Sequence, residues 1–509
     1  MHEMATHLSQ VAPTGTPATV RTAFSPSPIG PPSIGLIRAA VVNWALARHH
    51  GGRFVLRIED TDAATGMAEY YQPLTEVLRW LGLDWDEGPG VGGHNGPYLQ
   101  SERREIHLEA ARKLFEAGDL YESFSTREEI EARNRAAGRP LTAGYDNGDR
   151  DVSERRKAAY RAEGRTAVLR MRMPDEEIVF DDLVRGRIVF PPSHTPDPVM
   201  VRANGDPLFA LANTVDNAMM GITHSLRGDD LLSSTPRQLA AYAALQRLGI
   251  TTFIPRLGHI SPVLDARGKK LSRAVPDAEV LGYRKRGFLP EAMVNYLASI
   301  GWSHSTAGPV FTRQELIEDY DVGRMRAHPV RLDVARITEI NAAHLRRLSI
   351  PDYGAALLPH MIRAGTLPPE PSTAQRDLLS RAAPLVQRAA RTLTEAAEAV
   401  AFLFLPDDSV PAQAGADGPM VDGPVMDHDA LRAAADLLED LEDWTADSVR
   451  LCLTKGLGQQ ARPALGALRV ALTGRPVAPP LYETLALLGR TRSLCRMRHA
   501  LSAQSPARR

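Results

Sequence analysis

The first stretch of the chain that could do chemistry is a turn rich in proline and glycine, with the sequence PSPIGPPSIG at residues 26–35. It follows a short apolar strand at Ala23 and Phe24 and leads into a helix near Gly35. A helix N-terminus presents unpaired N–H groups and the positive end of its dipole, and both favour a phosphate. Proline fixes φ and glycine lets a ligand approach the backbone, so a rigid cradle is expected. The spacing alone fits an ordinary loop equally well.

Two further stretches supply cations. The segment ARGKKLSRAVPDAEV, residues 266–280, places Lys270 and Arg273 on either side of a serine. Placed cations stabilise phosphoryl charge, so the pair could clamp a triphosphate, although basic loops are common. Arg227 stands just past a predicted strand, where an ion pair with Asp229 or Asp230 is the structural interpretation.

The hydrophobic pattern locates the elements that must position these residues. Residues 21–62 indicate a strand, turn, helix and strand, with the second strand at Phe54–Leu56. Apolar positions at helical spacing predict a surface helix over Glu69–Leu81. Short apolar runs restore strand character at Ile178–Phe180 and Arg187–Phe190.

Two other regions have a distinct composition. Residues 120–170 are charged and poorly periodic, which indicates an insertion, and the run TREEIEARNRAAGRP there fits either a solvated helix face or a contact with RNA. From about Leu332 the chain is rich in alanine, leucine and arginine at helical spacing, with breaks near residues 405–424. An all-helical C-terminal region is therefore predicted.

Composition sets the limits of the interpretation. A chain of 509 residues with 43% hydrophobic content can bury several cores, about three to five domains. The formal net charge of -1 means that a nucleic acid would be held by local basic patches. Cys452 and Cys495 are too few for a disulfide framework or a four-cysteine zinc site, which suits a reducing cytoplasm. No apolar run approaches the ~20 residues of a membrane span, and residues 1–19 are predicted to be a disordered tail.

The opening segment, AFSPSPIGPPSIGLIR followed by RIEDTD at Arg57–Asp62, resembles the first signature of the glutamyl-tRNA synthetases, RFAPSPTGxLHIGxxR and RIEDTD. Further matches cover most of residues 21–501, and they include GPYLQSER, FDDLVRGRIVF, LFALANTVDNAMMGITHSLRGDDLLSSTPRQ and the C-terminal ALRVALTG. The second signature, KLSKRHG in this family, is matched at Lys270–Ser272, and Arg273 keeps a cation.

The sequence also departs from the family pattern. Ala23 replaces an arginine, Ile29 a threonine, Ser33 the first histidine of the HIGH motif, and Phe209 a tyrosine. Residues 274–276 replace the Arg-His-Gly that ends the second signature. Arg21 lies two residues before Ala23 on the same strand face, so it could reach toward the missing arginine or point to solvent.

The resemblance implies an α/β Rossmann-like class I catalytic domain with an inserted acceptor-binding subdomain, followed by an all-α anticodon-binding region. The corresponding boundaries are 20–115 and 175–260 for the catalytic domain, 116–174 for the insertion, 261–331 for the signature loop and stem-contact helices, and 332–509 for the anticodon-binding region. Many relatives place a cysteine-ligated zinc in the insertion, where this chain has Ser123 and Ser125, so no zinc is expected.

The activity that the resemblance implies is ATP-dependent activation of glutamate and its transfer to tRNA(Glu), with Mg²⁺ bridging the phosphates. A cytoplasmic monomer is expected. The residues implied to bind the amino acid are Ser27, Glu59, Phe209, Asn213 and Arg227, with Glu59 suited to an ammonium. The residues implied on the ATP side are Ser33, Gly35, His259, Lys270 and Arg273, of which Ser33, Lys270 and Arg273 would be catalytic.

Two other functions fit the same sequence. A divergent paralogue could activate another amino acid in a specialised pathway, because Ala23 removes a charge-assisted partner for a side-chain carboxylate. A non-catalytic tRNA-binding protein is the other alternative; Ser33 favours it, whereas Lys270 and Arg273 argue against it.

Overall fold

Strand β1 (Arg21–Phe24) lies inside a parallel sheet of four strands that organises the N-terminal part of the molecule. The computed structural model describes residues 19–27, 30–60, 68–306, 308–409, 427–458, 461–476 and 478–502. Residues 1–18 of the predicted tail, Ile29, and residues 410–424 of the predicted breaks lie outside them. The described residues form two units, residues 19–282 with 293–333, and residues 283–292 with 334–502.

The strands all belong to the first unit. They are β1 Arg21–Phe24, β2 Arg53–Leu56, β3 Leu120–Ser123, β4 Val168–Met171, β5 Ile178–Asp182, β6 Gly186–Phe190, β7 Val199–Val201, β8 His224–Gly228, β9 Arg256–Ile260, β10 Val263–Leu264 and β11 Val330–Arg331.

The helices of the first unit, together with α8 and α9, which contain residues of both units, come next. They are α1 Ile34–His49, α2 Ala68–Leu81, α3 Arg104–Glu116, α4 Arg127–Ala136, α5 Glu154–Ala162, α6 Phe209–Met219, α7 Thr235–Arg247, α8 Val280–Lys285, α9 Pro290–Ser299 and α10 Arg313–Asp319.

The sheet order is β2-β1-β8-β9, and every neighbouring pair is parallel. Phe24, Phe54, Val55 and Leu56 are all buried, as expected for strands covered on both faces. The predictions of strands here and of a helix ending at Leu81 are confirmed. Because all four strands run the same way, their carboxyl ends share one edge, which is where open α/β sheets bind ligands.

The inserted segment contains its own antiparallel sheet, β3-β4-β7. Asp149, 3% exposed, organises its first strand by accepting hydrogen bonds from the Ser123 and Ser125 hydroxyls at 2.7 Å each and from the amides of Phe124 and Ser125 at 2.9 Å each. Burial opposes ionisation, but these bonds hold the pKa of Asp149 below its ordinary value. Since β7 belongs to this sheet, the sheet continues past the boundary predicted at residue 174.

The charged run in the insertion forms α4, and several of its charged side chains form ion pairs within the insertion. Arg133 bonds Asp146 at 2.5 Å, Arg165 bonds Glu129 at 2.8 Å, and Arg127 bonds Glu131 at 2.8 Å. These pairs favour a solvated, internally neutralised surface over a free cationic face.

All of the regular secondary structure in the described residues of the second unit is helical, which confirms the predicted all-α region. Its remaining helices are α11 Val334–Arg347, α12 Ile350–Arg363, α13 Thr373–Gln387, α14 Leu393–Val400, α15 His428–Glu439, α16 Ala446–Gly456, α17 Ala461–Thr473, α18 Leu481–Leu488 and α19 Arg490–Ser502. No helix in the described part of the chain is both long and apolar enough to pass through a membrane.

A buried arginine on helix α19 connects this helix to the residues that follow α14. The Arg496 side chain has no exposed surface, and its guanidinium donates to Asp407 at 2.8 Å, to the carbonyl of Leu472 at 2.8 Å and to the carbonyl of Phe402 at 3.0 Å. Arg492 also bonds Asp407 at 3.0 Å, but its side chain is 33% exposed, so Arg496 is the fully buried donor at this junction.

We expect Arg496→Leu to lower the free energy of unfolding of the second unit by about 3 kcal/mol, because it leaves buried acceptors without a donor. Trp444 is the one tryptophan in the second unit, so its fluorescence reports the urea unfolding of this unit in a background whose other four tryptophans are replaced by phenylalanine. Arg498→Leu is the matched control on the same helix, since Arg498 is 66% exposed and its ion pair with Glu439 should matter little. Equal effects of the two substitutions would contradict the argument.

Candidate active site

A cavity of about 420 Å³ opens at the carboxyl edge of the parallel sheet, beside the start of α1. Ala23 of β1 and Leu226 of β8 form part of its floor. The predicted site residues that line it are Ser27, Ser33, Gly35, Glu59, Phe209, Asn213, Arg227, Lys270 and Arg273. Residues predicted from separate motifs therefore meet in one cavity.

The N-terminus of α1 forms one wall. Ser33 is its N-cap, with a hydroxyl that accepts from the amide of Leu36 at 3.4 Å. Gly30 has a φ of 71°, a left-handed conformation that favours glycine, and a Cβ placed on Gly35 would meet no atom within 4 Å. The first turn of this 16-residue helix contains no acidic residue, so its dipole faces the cavity unopposed.

Two basic side chains also line the cavity. Lys270 Nζ lies 3.0 Å from Asp230 Oδ2, and both side chains are more than half exposed. Arg273 lines the cavity and is exposed as well. Mobile, hydrated cations of this kind can rearrange around an anion without leaving a buried charge unpaired.

Glu59 supplies the negative charge of the cavity. Its Oε1 accepts from Asn213 Nδ2 at 2.6 Å and from Arg57 Nη2 at 3.2 Å, and the residue is 8% exposed. Burial raises the pKa of Glu59, while the Arg57 charge and the Asn213 bond act in the opposite direction. Its second oxygen is not used by these partners, so the carboxylate can accept from a cationic ligand group.

Arg227 supplies a buried positive charge at 8% exposure. Its Nη1 donates to Gln238 Oε1 at 2.6 Å, Nη2 to Thr235 Oγ1 at 2.9 Å and Nε to His259 Nε2 at 3.0 Å. All three acceptors are uncharged. Burial lowers the pKa of Arg227 to about 10, so the side chain stays protonated at neutral pH. Three of the five guanidinium N–H groups are used, which leaves one on each terminal nitrogen for the two oxygens of a carboxylate.

The ion pair offered as the structural interpretation of Arg227 does not form. Asp229 instead bonds Arg185 at 3.0 Å, and Asp230 bonds Lys270. The charge of Arg227 is therefore left available to the cavity.

His259 is placed differently from the prediction. It has no exposed surface, does not line the cavity, and lies behind Arg227 with Nδ1 at 2.5 Å from Asp182 Oδ2. A direct contact with ATP is not supported by this arrangement, because Arg227 and its neighbours separate the ring from the cavity.

Arg21 does not take the place of an arginine at position 23. Its Nη1 bonds Glu87 at 2.7 Å and its Nε bonds the carbonyl of Met220 at 3.0 Å. The alternatives of reaching into the pocket and pointing to solvent are both wrong, because a nearby carboxylate captures the guanidinium. Ala23 itself packs in an apolar cluster with Val55, Tyr98, Met220 and Ile222.

Sequence reasoning missed the residues beneath the cavity. Asp216 on α6 has no exposed surface and accepts from Arg103 at 2.6 Å, His107 at 2.7 Å and Gln100 at 2.8 Å, with Arg57 Nε at 3.5 Å. Its signal was present as a polar run inside an otherwise apolar helix. Three further residues were missed: Gln238, Thr235 and Asp182.

Known proteins resemble the chain over almost its whole length. The family model described as tRNA synthetases class I (E and Q), catalytic domain, matches residues 19–339, and an anticodon binding domain matches residues 353–501. A glutamate–tRNA ligase of Saccharopolyspora erythraea is 51% identical, covering 95% of this chain and 96% of that protein. One from Kineococcus radiotolerans is 48% identical, covering 96% and 99%.

A solved structure agrees with these relatives. The crystal structure of a glutamate tRNA ligase from Elizabethkingia meningosepticum, in complex with its amino acid, matches with a TM-score of 0.78 at 26% identity. It covers 96% of this chain and 100% of that chain.

We expect Asp216→Asn to lower the free energy of unfolding of the first unit by about 3 to 5 kcal/mol at neutral pH, because it removes the anion from a buried ionic cluster. Burial opposes ionisation, but Arg57, His107 and Arg103 hold the pKa of Asp216 well below its ordinary value. Its stabilisation is therefore complete above the pKa of an unfolded aspartate, about 3.9, and is lost as the pH falls toward the folded-state value.

The measurement is urea unfolding of both proteins from pH 7 down to the acid limit of folding. The difference between wild type and Asp216→Asn should shrink below about pH 4. Asp206→Asn is the control, since Asp206 is half exposed and lies 3.6 Å from Arg104. A difference that does not depend on pH would contradict the assignment.

Proposed function

Because this chain belongs to the class I tRNA synthetases for glutamate and glutamine, and within them to the glutamate–tRNA ligases, we propose that its cavity activates glutamate with ATP. The observation that carries the proposal is the pair of opposite charges, Glu59 and Arg227, that line one cavity. An amino acid offers an ammonium and a carboxylate, and these groups match the free oxygen of Glu59 and the two free N–H groups of Arg227.

The other half of the cavity suits a triphosphate. The N-terminus of α1 at Ser33 and Gly35 presents backbone N–H groups, and Lys270 and Arg273 line the same cavity. The Ser33 hydroxyl can donate one hydrogen bond to a phosphate oxygen but carries no positive charge. Charge stabilisation therefore depends on Lys270, Arg273 and the helix dipole.

In the first step, a carboxylate oxygen of glutamate attacks the α-phosphorus of ATP. A new P–O bond forms, the bond to the bridging oxygen breaks, and pyrophosphate leaves with the electron pair. Lys270 and Arg273 stabilise the charge that develops on the phosphoryl oxygens. In the second step, a terminal ribose hydroxyl of tRNA(Glu) attacks the carbonyl carbon, loses its proton, and AMP leaves.

Magnesium would enter with the nucleotide and neutralise part of the phosphate charge. Mg²⁺ needs only one or two carboxylates when phosphates and water complete its shell. Asp229 and Asp230 line the cavity and fit that role. Within the described ranges no three or more metal-ligating side chains gather.

The tRNA side rests on the second part of the chain. The anticodon binding domain match at residues 353–501 falls inside the helical unit. We place the acceptor end of the tRNA against the insertion at 116–174, where it would have to compete with the internal ion pairs described above. A cytoplasmic location, based on the two free cysteines, stays a prediction.

We expect Ala23→Arg to lower the KM for glutamate about tenfold, because a charge-assisted hydrogen bond to a carboxylate contributes more than a neutral one. Ala23 lines the cavity and is 5% exposed, so Ala23→Met serves as a control of similar bulk without charge. The assay is pyrophosphate exchange with a panel of amino acids, with and without tRNA. Activation of a different amino acid by the wild-type protein would overturn glutamate and favour the divergent-paralogue alternative.

Lys270→Ala should slow formation of the adenylate about 100-fold, because the cation acts on charge that develops in the transition state. Lys269→Ala is the matched control: it removes the neighbouring cation, which does not line the cavity. Single-turnover adenylate formation measures the step directly. Unchanged rates in Lys270→Ala, or equal losses in both variants, would remove the assigned role, and no activity in any protein would favour a tRNA-binding function.

A further inference from the structure

An unbroken series of hydrogen bonds runs beneath the cavity and connects its two buried charged residues, Glu59 and Arg227. We call it the positioning chain. In order it contains Glu59, Asn213, Gln238, Arg227, His259 and Asp182, with bonds of 2.6, 2.9, 2.6, 3.0 and 2.5 Å.

The donors and acceptors of this chain allow one orientation only. The carboxylates of Glu59 and Asp182 at the ends accept, and Arg227 in the middle can only donate. Gln238 must therefore turn its oxygen to Arg227 and its NH₂ to Asn213. By the same argument, His259 accepts from Arg227 at Nε2 and carries its proton on Nδ1.

Three members of the chain are removed from the cavity itself. Gln238 and His259 have no exposed surface, Asp182 is 4% exposed, and none of the three lines the cavity. They come from α7, β9 and β5, whereas Arg227 comes from β8. The positioning chain thus joins three other elements to the strand that carries the cation.

We propose that Gln238, His259 and Asp182 are positioning residues that fix the Arg227 guanidinium and the Asn213 amide in the orientation that receives an amino acid. This inference rests on the proposed function of the cavity. Because Gln238 and His259 are uncharged, they hold Arg227 without neutralising it. The cation therefore keeps its charge and its two remaining N–H groups for the ligand.

Asp182 has two separate roles, one for each of its carboxylate oxygens. Its Oδ1 accepts from the amides of Val184 and Arg185 at 2.9 Å each, which already closes the turn after β5. Its Oδ2 is directed at the His259 ring. Burial lowers the pKa of His259, so the ring is neutral and its tautomer depends on this carboxylate.

Asp182→Asn tests the tautomer. Asparagine can keep Oδ1 on the two amides of the turn but presents an NH₂ to His259 Nδ1, which must then lose its proton to Nε2. Nε2 would become a donor facing the Arg227 Nε–H, and Arg227 would lose its position. We expect the KM for glutamate to rise about tenfold or more while the KM for ATP stays within about twofold.

Gln238→Met tests the other side of Arg227. Methionine has a similar length but can bond neither Arg227 nor Asn213, so we expect a rise of similar size in the KM for glutamate. Gln246→Met, on the same helix α7, and Asp181→Asn, on the same strand β5, are the controls. Gln246 bonds only the carbonyl of Thr252 at the surface and Asp181 is exposed, so both should behave as wild type.

A double-mutant cycle separates positioning from general destabilisation. If Asp182 acts through His259, Asp182→Asn should change the KM for glutamate little in a His259→Phe background, and the two effects should be strongly non-additive. Additive effects, or an unchanged KM in Asp182→Asn with intact folding, would overturn the inference.

Nitrogen-15 NMR of histidine-labelled protein provides a readout that needs no substrate. The resonance that disappears in His259→Phe should report a proton on Nδ1 in the wild type and on Nε2 in Asp182→Asn. A proton on Nε2 in the wild type would overturn the positioning chain, even if glutamate is activated. The expected tautomer in a protein that activates no glutamate would instead sustain the chain and reject the proposed function.

Discussion

The molecule depends on one unusual condition, a buried guanidinium that donates three hydrogen bonds to uncharged groups and pairs with no acid among the described residues. A buried charge without partners is strongly destabilising, and the simplest remedy is a neighbouring carboxylate. Arg227 has two aspartates within three residues, yet Arg185 and Lys270 occupy them. An amide, a hydroxyl and an imidazole satisfy Arg227 instead. The fold thereby supports a positive charge that a ligand, and not the protein, completes.

Glu59, the buried negative residue of the cavity, is stabilised in the opposite way, with a charged partner. Glu59 is held by Arg57 and Asn213, and Arg57 is itself held near Asp216. Asp216 in turn accepts hydrogen bonds from Arg103 and His107. The charges of this cluster nearly cancel, and Arg57 and Asn213 oppose the rise that burial causes in the pKa of Glu59. Gln238 connects the two charged residues: its amide oxygen accepts from Arg227, and its NH₂ donates to Asn213, the partner of Glu59.

The local hydrophobic pattern was enough to predict β1, β2 and the helix that ends at Leu81. The apolar residues of the two strands, and the helical spacing before Leu81, can be read from neighbouring positions in the sequence. The residues around the cavity were also found, since they lie in the short motifs that the resemblance identified. Partners distant in the chain were not. Arg21 is captured by Glu87, and His259 lies under Arg227; both outcomes depend on tertiary neighbours that no window of sequence contains. The same holds for β7, which joins the insertion's sheet from beyond its predicted boundary.

The departures from the family pattern are distributed unevenly over the cavity. In the proposed function, Glu59, Asn213 and Arg227, with the positioning chain beneath them, would receive an ammonium and one carboxylate. Compared with the family pattern, Ala23 removes a cation from the same cavity and Phe209 removes a hydroxyl. Neither change disturbs these groups, because neither position belongs to the positioning chain. Recognition of the amino-acid core and recognition of its side chain are therefore physically separable here. The fold can lose affinity at position 23 and still hold the reacting groups in place, whereas the loss of Gln238 or Asp182 would disturb the positioning chain itself.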